Sequence, residues 1–329
     1  MNFPGLIDLQ INGYIGIDFS SPDLTEADAI RAFEAIVKSG ARGFFPTIVT
    51  SPLALFERNL PILARAMSDR IWGKHALGIH VEGPFLCPLP GYIGAHKPEW
   101  ALDPDPELLR QFQVWADGKI RILTMAAGQP GADELAKKAV SMGISVFLAH
   151  QKCETADLLE MVDHGAKAFT HLGNSIPHEL GKHKNPLWSA FLIDGLSATV
   201  IPDGFHLSLE LLRVIIKVKG PDRVAVISDA SPFAGLPPGR YATPSNEISL
   251  EEDGKLWNPV KKFLAGSSFS MLRCMNYLAA NVDLRPEDLL KTAFLNPLRL
   301  TGLNPESVPE TDYRIDYDPA QRTFRLTEP

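Results

Sequence analysis

The feature that most constrains the fold of this chain is an eightfold repetition of a short apolar run followed by an amphipathic segment. The runs are LIDLQIN (6–12), GFFPTIV (43–49), ALGIHVEG (76–83), IRILTMA (120–126), SVFLAH (145–150), AFTHLG (168–173), SATVIPDG (197–204) and VAVISDA (224–230). Such runs are typical of strands buried on both faces, as in a parallel sheet. Eight strand–helix alternations predict an α/β fold of the (β/α)8 TIM-barrel type, with an open doubly wound sheet as the alternative.

The segments between these runs have the apolar spacing and the end signals of helices. Residues 25–39 open on Thr25, a helix-capping residue type, and Asp28 follows three residues later. The same pattern predicts helices at residues 53–67, 106–115, 132–142, 155–164, 209–218, 267–280 and 286–293. Residues 240–258 break the repetition, because their alternating apolar side chains around Asp253-Gly254 predict a β-hairpin inserted after the eighth strand.

Composition excludes several classes of partner. The 329 residues are 45% apolar and 22% charged, a balance that lets one barrel bury a large core. The net charge of -7 argues against nucleic acid or an anionic membrane as a partner. Three scattered cysteines favour a reducing compartment over a disulfide framework. Because we find no signal-peptide pattern and no run of eighteen apolar residues, we predict a cytoplasmic protein.

Polar residues recur at the carboxyl ends of the predicted strands, which is the end of a barrel that carries its active site. They are Gln10, Asn12, Thr47, Glu82, His150, His171, Asp203, Asp229 and, just after strand seven, His206. A buried polar group without a partner costs about 1–3 kcal/mol, so a convergent set requires a common partner. A divalent ion suits Glu82, His150 and His171, because one carboxylate and two imidazoles are a usual ligand set for catalytic zinc.

Each of these residues also has a simpler interpretation when it is taken alone. A single histidine such as His150 or His171 is more often a hydrogen-bonded core residue than a ligand. Glu82 could belong to a buried ion pair, and Asp229 could cap the next helix. His80 lies two residues before Glu82 and faces the same way one layer deeper, so we predict a structural role for it.

The same residues lie in motifs that resemble the N-acetylglucosamine-6-phosphate deacetylase family of the amidohydrolase superfamily. The matching stretches are PGLIDLQINGYIG (4–16), GIHVEGPFL (78–86), GAHKP (94–98), GAKAFTHLGNSIP (165–177), PDGFH (202–206), VISDASPFAG (226–235) and LAGSSFSM (264–271). They occur in family order and span nearly the whole chain. HVEGPF, THLxN and SDA together are fairly specific, whereas GAHKP or PDGFH alone is weak.

The resemblance implies a metal-dependent hydrolysis of the acetamide of N-acetylglucosamine 6-phosphate, which yields glucosamine 6-phosphate and acetate. Glu82, His150 and His171 match the metal ligands of the family. Asp229 matches the catalytic carboxylate, which would take a proton from water and pass it to the leaving amine. His206 matches a residue at the acetamide carbonyl and would donate to the developing oxyanion.

The resemblance also assigns residues to the rest of the sugar. His96 matches a residue that holds the sugar hydroxyls, and Asn174 and Ser175 match a segment that meets the phosphate. Relatives usually add an arginine from the loop after strand six, but here that loop reads PHELGKHKNP (177–186). Lys182, His183 or Lys184 would have to substitute, and lysine lacks the bidentate fork of arginine. Two alternatives therefore stay open: an N-acyl amino sugar or amino acid without a phosphate, and a catalytically silent sugar-binding barrel.

Two further departures from the family pattern affect the metal and the domain organisation. Many amidohydrolases carry His-x-His at the end of strand one, where this chain has Gln10 and Asn12. Amides are poor ligands, so we predict one ion, Zn²⁺, with Fe²⁺, Co²⁺ or Mn²⁺ as alternatives. Relatives also build a small β-sandwich from a segment before PGxID and the C-terminal tail. We therefore predict a barrel over residues 1–310 and a tail over 311–329, as an absent or vestigial sandwich; because relatives dimerise, a homodimer is also implied.

Overall fold

Eight parallel strands form a barrel in the computed structural model, which describes residues 1–242, 247–260 and 263–329. The barrel strands are β1 (Leu6–Ile11), β2 (Ala41–Val49), β3 (Ile79–Glu82), β4 (Ile120–Met125), β5 (Ser145–Leu148), β6 (Ala166–Phe169), β7 (Ser197–Val200) and β8 (Val224–Val226). Each strand pairs with the next one along the chain, so the order around the sheet is sequential. The strands coincide with the predicted apolar runs, and their ends differ by a few residues.

The two ends of the sheet meet and close the barrel. Ile11 forms a parallel bridge with Ala230, and the backbone N–H of Asn12 donates to the carbonyl of Ala230 at 2.8 Å. Nearby, the backbone N–H of Ser228 donates to Oδ1 of the buried Asp8 at 3.1 Å. A doubly wound sheet has two separated edges, so this seam confirms the predicted (β/α)8 barrel and excludes the alternative.

Helices surround the barrel and largely match the predicted segments. They are α1 (Glu26–Lys38), α2 (Leu53–Ala66), α3 (Pro106–Trp115), α4 (Ala132–Ser141), α5 (Thr155–Asp163), α6 (Pro186–Leu192), α7 (Leu209–Lys219), α8 (Met271–Asn281), α9 (Pro286–Leu290) and α10 (Asn296–Thr301). Helix α1 has the predicted cap, since the backbone N–H of Asp28 donates to Thr25 Oγ1 at 3.1 Å. A π-helical stretch, Lys291–Leu295, joins α9 to α10, so this helical region continues beyond the predicted end at residue 293.

The start of α8 corrects one prediction. We expected this helix to begin near Ser267, but Ser270 is its N-cap and accepts a hydrogen bond from the N–H of Arg273. Ser267 is instead held at the end of β8, where its carbonyl accepts the N–H of Ser231 at 2.8 Å. The pairing of Ser267 with the barrel therefore delays the helix by one turn.

Apolar side chains fill the barrel because alternate residues of each strand point inward. Leu6 belongs to the layer between sheet and helices, whereas Ile7 belongs to the cluster inside the barrel. The interior cluster also contains Leu9, Phe45, Ile122, Phe147, Ala168, Ile201, Ala225 and Ile227. Phe294 and Leu298, from the helical region after α8, join this cluster and form the floor of the barrel. The polar residues at the carboxyl ends of the strands lie at the opposite end of the barrel.

Two small sheets lie outside the barrel. The predicted hairpin is part of a four-stranded antiparallel sheet of Gly239–Ala242, Glu247–Leu250, Leu256–Asn258 and Phe263–Leu264. The hairpin residues 243–246 lie outside the described residues. The tail forms a hairpin of Arg314–Asp318 and Thr323–Thr327, and the first of these strands pairs with Asn2–Phe3. Across the described ranges, no helix combines the length and the apolar composition needed to cross a bilayer.

Candidate metal centre and active site

Three of the predicted site residues adopt a left-handed backbone at the carboxyl ends of their strands. His150 follows β5 with φ 50°, His171 follows β6 with φ 37°, and Asp229 follows β8 with φ 49°. This conformation costs non-glycine residues on the order of 1–3 kcal/mol and tends to occur at functional sites. Neighbouring strands hold it in place; for example, the backbone N–H of His171 donates to Thr199 Oγ1 at 2.8 Å. This backbone conformation directs the three side chains towards the mouth of the barrel.

The three predicted metal ligands converge there. Glu82 Oε1 lies 3.2 Å from His150 Nε2 and 3.0 Å from His171 Nε2. The three ligand atoms all lie within 4.8 Å of one another, and the side chains are buried. The fold therefore brings together a carboxylate oxygen and two imidazole nitrogens, as the strand-end pattern predicted.

The protonation of His150 shows that this set fits a cation. His150 Nδ1 lies 3.0 Å from the carbonyl of Tyr92, which can only accept, so Nδ1 carries the proton. Burial, with the charge of His96, lowers the pKa of His150 to about 4, so the ring is neutral near pH 7. Its Nε2 lone pair then faces the oxygen of Glu82, and two acceptors at this distance repel. A divalent cation bound by both atoms converts this repulsion into attraction.

The two carboxylates of the site differ in their affinity for protons. Burial alone would raise the pKa of Glu82, but the imidazole rings of His150, His171 and His96 around its carboxylate hold it well below the usual value. Burial raises the pKa of Asp229, and repulsion by Glu82 raises it further. Glu82 is therefore suited to remain an anionic ligand, whereas Asp229 is suited to accept a proton.

Two amides connect these carboxylates at the position where many amidohydrolases have histidines. Gln10 Nε2 donates to Glu82 Oε2 at 3.1 Å and to Asp229 Oδ1 at 3.0 Å. Asn12 Nδ2 donates to the same Asp229 Oδ1 at 2.8 Å. Two neutral amides thus stand at this position and hydrogen-bond both carboxylates. Both donors bind Oδ1, and Asp229 Oδ2 accepts no hydrogen bond from the described residues.

A buried polar layer supports the site from below. His80 Nδ1 donates to the carbonyl of Leu9 at 2.9 Å, so Nε2 accepts from the hydroxyl of Thr124 at 2.8 Å. Thr124 in turn lies 2.8 Å from the hydroxyl of Thr170. Burial lowers the pKa of His80 to about 4, which keeps the ring neutral. These contacts confirm the predicted structural role of His80.

The structure places three of the predicted substrate residues beside the predicted metal ligands. His96 Nε2 lies 3.2 Å from His150 Nε2 and 3.9 Å from Glu82 Oε1. Ser175 Oγ lies 3.1 Å from His150 Nε2, and Asn174 Nδ2 donates to the carbonyl of His171 at 3.1 Å. These side chains therefore border the space next to the ligand set.

The cationic residues predicted for the phosphate are not brought to this cluster. Lys182 and His183 are exposed, and within the described ranges neither side chain hydrogen-bonds or forms an ion pair. Their neighbour Lys184 pairs with Glu154 at 2.8 Å on the surface. The contact of this loop with a substrate stays a prediction.

Two contacts of the site were not assigned from the sequence. The carbonyl of Tyr92 fixes the tautomer of His150, and Asp203 Oδ2 lies 2.6 Å from His206 Nδ1. The first is a backbone contact and leaves no signal in side-chain identity. The contact between Asp203 and His206 did leave a sequence signal, because Asp203 ends a predicted strand and lies three residues before His206.

The loop that covers His150 gives a testable prediction at Gly94. Its φ is +64°, and a Cβ there would lie 2.9 Å from His150 Cε1, a ring that Tyr92 holds in place. Gly94→Ala should therefore displace this ring and weaken metal binding about 10- to 100-fold, as is typical when a contact supporting a ligand is lost. Metal titration of the apoprotein measures this.

Gly118→Ala is the matched control for that substitution. Gly118 has φ +73°, and nothing lies within 4 Å of its added Cβ. Both variants carry the backbone cost of alanine in the left-handed region, about 1 kcal/mol. Only the Gly94 variant should lose metal affinity, and equal affinities would contradict the placement of this loop against His150.

Known proteins with similar sequences show which family this chain belongs to. No protein-family model matches the chain. It is 31% identical over 313 residues to the N-acetylglucosamine-6-phosphate deacetylase of Bos taurus, an alignment that covers 91% of this chain and 74% of that protein. The chain belongs to the N-acetylglucosamine-6-phosphate deacetylase family. The Homo sapiens member is 30% identical over 96% of this chain and 78% of its own length.

Solved structures of the deacetylase family share the fold. A mutant from Mycobacterium smegmatis in complex with N-acetyl-D-glucosamine-6-phosphate superposes with a TM-score of 0.86 at 24% identity, covering 99% of this chain and 85% of that one. The protein from Thermotoga maritima gives a TM-score of 0.82 at 20% identity, over 99% of this chain and 86% of that one. Family membership makes this chain an enzyme of the amidohydrolase superfamily, in agreement with the resemblance seen in the sequence.

Proposed function

We propose that this chain hydrolyses the acetamide of N-acetylglucosamine 6-phosphate to glucosamine 6-phosphate and acetate. The observation that carries the proposal is the convergence of Glu82, His150 and His171 beside a proton-accepting Asp229, in a member of the deacetylase family. A ligand set and a separate carboxylate at one barrel mouth are the parts that metal-assisted amide hydrolysis requires.

We propose further that Glu82, His150 and His171 hold one Zn²⁺ ion. Their oxygen and nitrogen atoms suit zinc, and the same set would also accept Fe²⁺, Co²⁺ or Mn²⁺. A cation held there supplies Lewis-acid chemistry, which polarises the amide carbonyl and lowers the pKa of water.

The proton transfers are assigned to Asp229. Gln10 and Asn12 occupy its Oδ1, so Oδ2 is the atom that takes a proton from the attacking water. The same oxygen then gives this proton to the nitrogen of the leaving amine as the carbon–nitrogen bond breaks. The raised pKa of Asp229 favours this exchange, because an acid–base group works best when its pKa lies near the working pH.

The remaining residues of the mouth are assigned to the substrate. His206 Nε2 donates to the amide oxygen, and His96 binds sugar hydroxyls. Asn174 and Ser175 are assigned to the substrate phosphate, with Lys182 or His183 as the cation. We also propose a cytoplasmic location, a homodimer, and a division into the barrel of residues 1–310 and a small terminal unit of residues 311–329.

A substrate panel tests this function. The zinc-loaded protein should deacetylate N-acetylglucosamine 6-phosphate with a kcat/KM at least about 100-fold above that for N-acetylglucosamine, because a phosphate–lysine contact with charge-assisted hydrogen bonds contributes about 3 kcal/mol. An N-acyl amino acid serves as the third substrate.

The outcomes separate the alternatives. Preference for a substrate without phosphate would replace the proposed reaction with the first alternative, an amidohydrolase for an N-acyl amino sugar or amino acid that lacks a phosphate. Stoichiometric metal with no turnover of any substrate would indicate a silent sugar-binding barrel instead. Acetate release is measured directly, so the result does not depend on a sugar-specific coupling enzyme.

A further inference from the structure

Asp203 is a buried carboxylate whose side-chain hydrogen bonds within the described residues all go to the His206 turn. Its Oδ2 lies 2.6 Å from His206 Nδ1, and its Oδ1 accepts the backbone N–H groups of Phe205 and His206, each at 2.9 Å. Burial alone would raise the pKa of Asp203, but these hydrogen bonds outweigh it and lower the pKa below its usual value. Asp203 is therefore a carboxylate that can only accept, and Nδ1 of His206 must carry a proton.

The turn around this pair holds the imidazole ring in one orientation. Gly204 has φ +81°, and a Cβ there would lie 2.8 Å from the ring of Tyr277. Phe205 packs edge-on against Phe269, with ring centroids 6.1 Å apart. Only 11% of the His206 side chain is exposed. The contact with Asp203 is thus part of a packed turn, not a chance surface pairing.

This tautomer has a chemical consequence at the other nitrogen. With Nδ1 protonated, a neutral ring offers only a lone pair at Nε2, which would repel an amide oxygen. Nε2 becomes a donor only when the ring is an imidazolium. Only that form satisfies both contacts, since Nδ1–H donates to Asp203 Oδ2 at 2.6 Å while Nε2–H is the donor assigned to the amide oxygen.

We propose that Asp203 is a positioning residue that keeps His206 as an imidazolium, so that a charged Nε2–H group meets the amide oxygen of the substrate. The inference rests on the proposed deacetylation and adds to it the charge state of the donor. A preorganised charged donor stabilises the negative charge that develops on this oxygen more strongly than a neutral one does.

Asp203→Asn separates the charge from the hydrogen bond. The amide oxygen would keep the two backbone N–H contacts, and the amide nitrogen would face Nδ1 of the ring. The ring would then become neutral with its proton on Nε2, so a donor stays in place and only the positive charge is lost. We expect kcat to fall about 10-fold with little change in KM, because a charge-assisted hydrogen bond is about twice as strong as a neutral one, whereas loss of the donor itself costs about 10²- to 10³-fold.

Nitrogen-15 spectra of the His206 ring provide a readout that needs no substrate. In the zinc-loaded wild type both ring nitrogens should be protonated, whereas Asp203→Asn should show one protonated and one unprotonated nitrogen. Loss of the signals in His206→Gln assigns them. A neutral ring in the wild type overturns the proposal, whatever the substrate turns out to be. An imidazolium in a protein without deacetylase activity would support the positioning role and refute the proposed function.

A double variant and a matched control exclude a merely structural role. If Asp203 acts through His206, adding Asp203→Asn to His206→Gln should cause no further loss of kcat, whereas a structural Asp203 would give an additional loss. Asp105 forms the same turn, since its Oδ1 accepts the N–H groups of Glu107 and Leu108, but it contacts no histidine among the described residues. Asp105→Asn should therefore leave kcat unchanged while showing the stability cost of an amide at such a turn.

Discussion

Asp229→Asn should lower kcat by about 10²- to 10⁴-fold, the usual contribution of a general acid–base group, while bound metal stays near the wild-type level. The substitution preserves shape, and its amide oxygen can still accept the hydrogen bonds from Gln10 and Asn12 that Oδ1 accepts now. What it removes is the proton-accepting oxygen Oδ2. Deacetylation of N-acetylglucosamine 6-phosphate and elemental analysis of the dialysed protein measure the two quantities.

Two results would contradict that assignment in different ways. Turnover within a few-fold of wild type would exclude Asp229 from proton transfer. A loss of metal together with activity would instead make Asp229 a ligand, and the site would then need a fourth protein atom beyond Glu82, His150 and His171.

Glu82→Gln should have the larger effect on the metal. The neutral amide removes the one anionic atom of the ligand set, so we expect metal affinity to fall by at least about 100-fold, more than the 10- to 100-fold cost of losing a supporting contact. Activity at sub-saturating metal should fall in proportion. The substitution would also place an amide near Gln10 Nε2, which now donates to Glu82 Oε2.

Thermal unfolding in the presence of zinc checks this second result without a substrate. An ion at about 100 times its Kd stabilises the folded state by about 2.7 kcal/mol, so zinc should raise the Tm of the wild type. Asp229→Asn should keep that rise, and Glu82→Gln should lose it. Each variant thus serves as the control for the other, and an unchanged zinc response in Glu82→Gln would remove Glu82 from the ligand set.

The convergence of Glu82, His150 and His171 could be predicted because it depends on two general facts. Buried parallel strands are recognisable as apolar runs, and the carboxyl ends of barrel strands share one face. What could not be predicted is how His150 and His171 turn inward. Both lie beyond the last paired residue of their strands, and their left-handed backbone is held by long-range contacts such as that with Thr199.

Other features that could not be predicted from the sequence also depend on long-range contacts. Ser267 and Ser270 are both residue types that cap helices, and only the pairing of Ser267 with the end of β8 decides between them. A backbone carbonyl, that of Tyr92, orients His150, so no side chain signals it. The Asp203–His206 spacing was visible, but it also suits an ordinary turn, as Asp105 shows.

The seam between β1 and β8 has a consequence for the synthesis of the protein. Asp8 and Ser228, which meet at this seam, are 220 residues apart in the chain. At about 5–20 residues per second, the ribosome delivers β8 about 10 to 45 s after β1. Phe294 and Leu298, which close the floor, emerge later still. Throughout that interval the nascent chain presents β1 as an unpaired edge with Ile7 and Leu9 uncovered, so the yield of folded protein depends on how well this edge is shielded until translation ends.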